Sequence, residues 1–394
     1  MDNSTHLTFW SSVEDLVRAY ACDFIQSVVE DEVSGALDRE PYERGGNGYR
    51  NGHRGRTIQT TMGSFSVSMP RARLLGPDGE HEFHSAVLPK GQRLTANAVS
   101  LIAAVYLCGT STRRVSVALA QALGPGVSKS SVSRCLGQLK PQWEAWQKRD
   151  LSKDNIRRVM LDGFCLDVRV NNKSTRMTAL VAMGVMSDGQ KLVLSIKEMA
   201  SESKAAWMEI LEDLAGRGVK QPELVVMDGS KGLEAALAEV WPKALVQRCS
   251  VHKERNLLAH APEALHEELK LDYQQMMYAD TAEDVIAARS AFLAKWRPKC
   301  PGVARSLEEA GERLFTFVRF PVCQWKSIRT TNAIERLNGE FRRRVKVQGL
   351  QPNGESVCML FWALIASGAV TLRKVDGFQT LDTPPKENLS LAAA

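Results

Sequence analysis

Asp162 closes the apolar run RRVMLD, Asp228 closes a second one, ELVVMD, and Glu335 lies far downstream in TTNAIERLNGEFRRR, whose spacing reads as a helix. Two aspartates at the ends of strand-like runs and a glutamate on a later helix can meet at one edge of a sheet. Three carboxylates without a thiolate partner suit hard divalent cations such as Mg²⁺. A pair of such ions clamps the attacking and leaving oxygens of an in-line displacement at phosphorus. The expected chemistry is that of a nuclease or a DNA strand transferase.

The helix of Glu335 supports two readings. Asn332 and Glu335 have capping-box spacing, which would make the glutamate a helix-start residue. Against this, Ile334, Leu337, Phe341 and Val345 form the buried stripe, and Glu335, Asn338 and Arg342 share an adjacent face. A carboxylate, an amide and a guanidinium together suit a metal and a phosphate, and Arg342, Arg343, Arg344 and Lys346 extend a basic surface toward DNA. Glu340, the competing glutamate, falls on a more exposed face.

The elements that must position these acids follow from periodicity. Arg157–Val170, Arg176–Met186 and Lys191–Ile196 read as three antiparallel strands joined by short turns, the first at Asn171-Asn172-Lys173. A helix over about 203–215 follows, then strand Glu223–Asp228, helix Leu233–Val240 and strand Ala244–Cys249. That order is ribonuclease-H-like, with Asp162 on the first strand and Asp228 at the end of the fourth. Residues 257–322 carry only helical periods and read as an all-α insertion before the helix of Glu335.

Upstream, Arg44, Arg50, Arg54, Arg56, Arg71 and Arg73 fall in a thirty-residue stretch without an acid. The whole chain carries +6, so this patch accounts for the entire excess. Localised positive charge is what phosphate contacts require. A helix is expected over 11–37, started by a capping box of Ser11 and Glu14. The Gly-rich ERGGNGYRNGHRGR is expected as a loop, and Thr57–Thr61 with Phe65–Met69 as a β-hairpin. Leu94–Leu107 and Thr112–Leu123 read as helices, the second broken by Gly124-Pro125-Gly126. Ser128 caps a third, whose outer face offers Lys129, Ser130, Ser133, Arg134 and Gln138. Two helices, a tight turn and a polar second helix resemble a helix-turn-helix, to which Arg113 and Arg114 add charge.

The fold class expected is α/β: a ribonuclease-H-like catalytic core with an all-α insertion, preceded by an N-terminal DNA-binding region containing a helix-turn-helix. The domains expected are 1–92, 93–150, 151–256, 257–324, 325–375 and a mobile tail 376–394. At 394 residues with 44% hydrophobic and 24% charged residues, the chain can bury sizeable cores. No apolar run approaches ~18 residues, so no membrane span is expected. Eight scattered cysteines without a Cys-x-x-Cys pair read as reduced, cytoplasmic thiols.

RCSVHKERNL and TTNAIERLNGEFRRRVK, with GYRNGHRGR, STRRVSVALAQAL and SKSSVSRCL upstream, resemble the bacterial insertion-sequence branch of the Mutator-family DDE transposases, over about 45–370. The resemblance implies Asp162, Asp228 and Glu335 as the acidic triad, with Cys249 and His252 as a Cys-x-x-His motif between the second and third acids. It implies recognition of terminal inverted repeats and Mg²⁺-dependent cleavage and strand transfer in a nucleoid-associated protein. In the expected mechanism Asp162 bridges two Mg²⁺ ions, which Mn²⁺ can replace, while Asp228 and Glu335 each complete one site. Arg342 steadies a phosphate oxygen. Double-stranded DNA, as element ends and as target, is the expected partner. Joining two ends calls for a homo-oligomer, at least a dimer. Two other classes stay open: a helix-turn-helix regulator with an inactive core, and a nuclease that cuts without joining. Cys249 and His252 are either half of a zinc site, with His260, His266 and Cys300 as candidate further ligands, or a pair that positions the core.

Overall fold

The structure, a computed structural model, describes residues 3–123, 127–170, 173–348 and 353–387. The chain divides into two compact units, Met1–Gln138 and Leu139–Ala394.

In the first unit, helix α1 (Asn3–Leu37) precedes strands β1 (Gly48–Thr60), β2 (Gly63–Gly76) and β3 (Gly79–Glu82), which form an antiparallel sheet in that order. Alternation along the strands turns Ile58, Phe65 and Val67 onto Ala21, Cys22 and Ile25 of α1, and Ala72 onto Val33 and Leu37. Three helices follow: α2 (Ala96–Leu107), α3 (Thr112–Leu123) and α4 (Lys129–Gly137). Thr95 and Ser128 cap α2 and α4 through their hydroxyls, as the sequence predicts for Ser128. Val115, Leu119, Val132 and Cys135 bury the faces that α3 and α4 share. The Gly124-Pro125-Gly126 break lies outside the described residues.

Two expectations for this unit are corrected. Helix α1 begins at Asn3, so Ser11 lies inside it rather than capping its start. GYRNGHRGR is not a loop but the first part of β1. Its pairing with β2 slips between Arg50 and His53, and Gly52 at φ +70° falls in that irregularity. The glycine accommodates a bulge within the strand instead of ending it.

The second unit is built on a mixed sheet of order β6-β5-β4-β7-β8. After α5 (Lys140–Gln147) come β4 (Ile156–Val170), β5 (Lys173–Met186) and β6 (Lys191–Met199), all antiparallel neighbours. Then α6 (Lys204–Gly216), β7 (Leu224–Met227), α7 (Lys231–Val240) and β8 (Leu245–Arg248) alternate, with β7 parallel to β4 and β8 parallel to β7. The element order expected from periodicity is therefore present, although the Asn171-Asn172 turn lies outside the described residues.

One sheet face buries Val159, Leu161, Leu180 and Val225 against Trp207, Ile210 and Leu214 of α6 and Leu233 and Leu237 of α7. Residues 250–328 contain no strand: they hold α8 (Ser250–Ala259), α9 (His266–Met277), α10 (Ala282–Lys299), α11 (Pro301–Ala310) and α12 (Val322–Ile328), with short 3₁₀ turns between α8 and α9 and between α11 and α12. Helices α13 (Asn332–Gln348) and α14 (Gly354–Ala366) complete the fold. Phe164 of β4 meets Phe341 of α13 and Phe361 of α14 edge-on, with ring centroids 5.8 and 5.6 Å away. Of the stretch expected as a mobile tail, residues 376–387 pack onto the unit. Lys386 N donates to Arg319 O at 2.8 Å, and Leu381 is buried. The remaining residues, 388–394, lie outside those described.

Arg54 and Arg56 are two residues apart on β1 but differ in role. Arg56 donates to the backbone carbonyls of Leu88 at 2.7 Å and Pro89 at 2.6 Å, and also to Gln92 O. Arg54 is exposed. Arg56→Ala should lower the unfolding free energy by about 1.5–3 kcal/mol, the worth of charge-assisted hydrogen bonds. Arg54→Ala should change it by no more than about 0.5 kcal/mol. Urea denaturation of the two variants checks this; equal losses would be inconsistent with it.

Candidate active site

Asp162 does not end a strand, as its apolar run suggested. It sits inside the fifteen-residue β4, opposite Val181 of β5. On its other side β4 runs parallel to β7 with Met160 opposite Val226. Continuing that register sets Asp162 beside Asp228, which directly follows the last residue of β7. Asp228 Oδ1 accepts from Ser230 N at 2.9 Å, which fixes the start of α7.

Helix α13 brings in the remaining groups. Asn338 Nδ2 donates to Asp162 Oδ2 at 3.3 Å. Glu335, one turn earlier, points its Oε1 at His252 Nε2 and Arg255 Nη1, each 3.3 Å away. Among the described residues no backbone amide binds that carboxylate, and Glu335 N itself donates to Thr331 O, so the capping-box role is not what the geometry shows. Arg342 lies over the Phe164 ring, 5.5 Å from its centroid. Thus Glu335, Asn338 and Arg342 all face β4 or α8, as their spacing requires. Glu340 turns away and pairs with Arg343 at 2.7 Å and Arg344 at 2.6 Å.

Cys249 follows the last residue of β8 and precedes α8, and His252 lies in the first turn of α8. The Cys249 sulfur accepts from Thr331 N at 3.3 Å and from Thr331 Oγ1 at 3.4 Å, tying the start of α13 to the end of the sheet. Burial pushes the Cys249 thiol up, but hydrogen bonding around the sulfur more than offsets this and leaves it below its ordinary value. His252 is raised to about 9. The adjacent Cys249 sulfur is the largest cause, burial opposes it, and the charges of Cys249, Asp162 and Glu335 add to it. His252 Nδ1 is buried without a partner of hydrogen-bonding geometry, so the sulfur lies close without alignment. At neutral pH the imidazole is a cation facing Glu335. Of the zinc candidates, Cys300 donates to His260 O at 3.2 Å and His266 bonds Ala261 O at 3.0 Å.

The carboxylates repel one another. Asp162, 5% exposed, is raised to about 7, first by burial and then, against the pull of His252, by the charges of Asp228, Glu335 and Glu202. Glu202, in the link between β6 and α6, is a fourth acid that the sequence reading did not single out. It is raised by burial and by Asp228. Asn338 Oδ1 is buried and has no hydrogen-bond partner among the described residues. As arranged, no three His, Cys, Asp or Glu side chains among the described residues are grouped to hold a metal ion. Glu335 is drawn to His252 and Arg255 instead of to the aspartates. The donor chemistry nevertheless fits a hard cation: crowded carboxylates, an amide oxygen without a donor, and a thiol engaged elsewhere.

The expected DNA contacts divide. Arg44 and Arg54 are exposed, as are Arg113 and Arg114 on α3 and Lys129, Ser130, Ser133 and Arg134 on α4. Arg50 is held by Glu30 at 2.5 Å and by Ser34 at 2.9 Å. Arg56 is occupied by carbonyls, as described above. Arg343 and Arg344 are paired with Glu340, whereas Lys346 is exposed. In the first unit, a groove bounded by Gln59, Ser131, Arg134 and Gln138 also includes Arg93, which borders a second groove with Arg54, Arg71 and Lys90. Arg93 and Lys90 were missed because neither belongs to a charge cluster or a helix face.

Comparison with known proteins identifies the family of the chain. The model of the family described as "Transposase, Mutator family" matches residues 3–371. The transposase for insertion sequence element ISRM5 of Rhizobium meliloti (strain 1021) is 34% identical over 352 residues, covering 89% of this chain and 87% of that protein. The transposase for IS905 of Lactococcus lactis subsp. lactis (strain IL1403) is 30% identical over 348 residues, covering 88% and 87%. The transposase for IS256 in transposon Tn4001 of Staphylococcus aureus is 28% identical over 363 residues, covering 90% of each chain. This chain belongs to the Mutator family and is a transposase. The resemblance carried by RCSVHKERNL and TTNAIERLNGEFRRRVK holds at the level of the family.

The strained aspartate has a stability signature. Folded Asp162 keeps its proton up to about pH 7, whereas an unfolded aspartate ionises near pH 4. The folded state therefore binds more protons between these values, and stability contributed below pH 4 is lost as pH rises through 7. Asp162→Asn removes that loss. In chelator at pH 8 it should raise stability, with an upper bound on the order of 4 kcal/mol. The gain should close toward pH 4. Melting curves across this range check it, and a variant that melts below its parent at pH 8 would contradict the assignment.

Proposed function

We propose that this transposase binds the terminal inverted repeats of an insertion sequence and cuts and joins DNA at Asp162, Asp228 and Glu335 with Mg²⁺ or Mn²⁺. The observation that carries the reading is that acids from the end of β7 and from α13 lie near enough to Asp162 of β4 for their charges to act on it, with Asn338 bonded to Asp162. In this reading the mixed sheet is a ribonuclease-H-like core. The 250–328 helices are its insertion, and α3–α4 form the helix-turn-helix.

Asp162, Asp228 and Glu335 would hold a pair of divalent ions, which when bound activate the attacking oxygen and stabilise the leaving one. The protein's own groups do the rest. Asn338 fixes the rotamer of Asp162, so its free oxygen keeps one direction. His252 and Arg255 hold Glu335 at the site's edge. Arg342, braced on Phe164, offers donors to a phosphate oxygen. No covalent protein–DNA bond is required, because the attacking group is water in cleavage and a DNA 3′-hydroxyl in joining. Two ends must be held together, so the working form is at least a dimer.

Asp162→Asn, Asp228→Asn and Glu335→Gln should each abolish nicking and strand transfer on labelled element ends while leaving end binding intact. Glu340→Gln should retain most activity. Full activity in Glu335→Gln, or cleavage that persists in chelator, would sink the assignment. In the first unit, Arg134→Ala should weaken binding to element ends by roughly 1–3 kcal/mol relative to random DNA, if that side chain reads a base. Arg54→Ala should weaken both alike and flatten the salt dependence. Competition binding at two salt concentrations separates these outcomes.

A further inference from the structure

Glu202 has no part in the mechanism above, yet the fold makes unusual room for it. It is half-buried, and among the described residues no hydrogen bond or ion pair reaches it. Glu335, by contrast, faces His252 and Arg255. A half-buried carboxylate beside Asp162 and Asp228, which feels the charge of His252 but among the described residues is in no ion pair, is costly to keep.

Two close approaches hold it there. Gly163 follows Asp162 on β4, and a Cβ at that position would lie 2.3 Å from Glu202 Oε1. Gly232 lies in the first turn of α7, just after Asp228. A Cβ there would lie 2.9 Å from Lys204 N and 3.3 Å from Glu202 O. The backbone of 202–204 is thus pressed onto the helix start that follows one aspartate, while the Glu202 side chain fills the space left beside the other. Ser203 caps α6 through its hydroxyl, accepting from Ala206 N at 3.2 Å, so the residue next to Glu202 is fixed as well. A glutamate needed only for solubility would not require a side-chain-free neighbour at position 163.

An independent observation points to a ligand at the same place. Asn338 is 2% exposed, donates to Asp162, and has an Oδ1 with no hydrogen-bond donor. A carboxylate in no ion pair and an amide oxygen without a donor, both beside Asp162 among the described residues, are what a hard cation would satisfy.

We propose that Glu202 is a fourth oxygen ligand of the divalent-cation site, drawn in with Asp162 and Asp228 when the ion binds, since the three are not grouped for a metal as they stand. This rests on the reading of those aspartates as cation ligands. Glu202 and the aspartates then form a cation-binding group in the sheet's own loops, and Glu335 is the acid supplied from α13.

The test uses the full-length protein without DNA. Mn²⁺ is titrated at pH 7.5, and the free ion is followed by electron paramagnetic resonance. Glu202→Gln should weaken Mn²⁺ binding on the order of tenfold or more, as loss of a ligand requires. It should melt no lower than the parent in chelator, because a repelling charge is gone. Element-end binding in chelator should be unchanged. If Glu202→Gln titrates like the parent while Asp162→Asn has lost Mn²⁺, the fourth-ligand proposal is overturned and the aspartate reading stands. If neither variant changes the titration, both fail. Should Glu202→Gln fold poorly, Glu202→Asp keeps the charge but withdraws the oxygens by one methylene. Severalfold weaker Mn²⁺ binding with parent-like melting supports the proposal, and unchanged binding overturns it.

Discussion

Carboxylates that repel one another cannot be collected at one half-buried place unless the backbone leaves them no alternative. Here the constraint begins with β4. That strand is paired on both sides, antiparallel to β5 and parallel to β7, so Asp162 cannot move out of the sheet to relieve its charge. Asp228 is fixed in turn, because its carboxylate closes the turn into α7. The cost appears as a proton that Asp162 keeps to about pH 7. The protein partly offsets it with groups from later in the chain: the amide of Asn338, the charged ring of His252 and the guanidinium of Arg255. The arrangement trades folded stability for a cluster of negative charge, a common compromise at functional sites.

The helices from α8 to α12 have to return the chain to where it left. Ser250 N donates to Arg329 O at 2.9 Å, and Thr331 N donates to the Cys249 sulfur at 3.3 Å. The excursion therefore begins and ends on adjacent backbone, joined by direct hydrogen bonds. Tyr273 of α9 adds a third tie, its hydroxyl donating to Ser250 O at 2.9 Å. With these ties the chain returns from α12 to the end of the sheet just where α13 begins. Cys249 makes sense in this setting without zinc: a small, buried sulfur accepts two hydrogen bonds where a strand end, a helix start and a returning chain converge.

What the sequence revealed follows from which signals are local. Strands β5 and β7 are buried on both faces and so read as continuous apolar runs bounded by turns, which let β4 to β8 be read in order, and Asp228 stood out where apolar residues stopped. The i, i+3, i+7 spacing of Glu335, Asn338 and Arg342 is a property of one helix, so their shared face was legible too. Asp162 was placed at a strand end because RRVMLD stops being apolar there. The strand continues because GFCLDVRV keeps the alternation with Phe164 and Val168 buried. Glu202 carries no local signal at all. It lies in a short link, and its meaning comes from Gly163, thirty-nine positions earlier in the sequence, and from Gly232 after it. Arg56 shows the same limit from the other side. An arginine in a basic run looks like a phosphate contact until the carbonyls of residues 88–92 are seen around it.

The contact between β4 and α13 shows how such non-local placement becomes exact enough for chemistry. Asp162 meets Asn338, and Phe164, two residues along the strand, meets Arg342, four residues along the helix. Two strand residues advance about 6.6–6.8 Å, and four helical residues advance about 6 Å. The two elements therefore move in step and can share two successive contacts. A slip of α13 by one residue would rotate its side chains by about 100°. The Asn338 amide would leave Asp162, and Arg342 would leave its ring. Phe341, packed against both Phe164 and Phe361, resists the same slip from the apolar side. Glu335 lies one turn before Asn338, so it inherits this registration without touching β4. Its position toward His252 and the aspartates is thus set by contacts that other residues make, which is why the helix rather than the glutamate alone is the unit that builds the site.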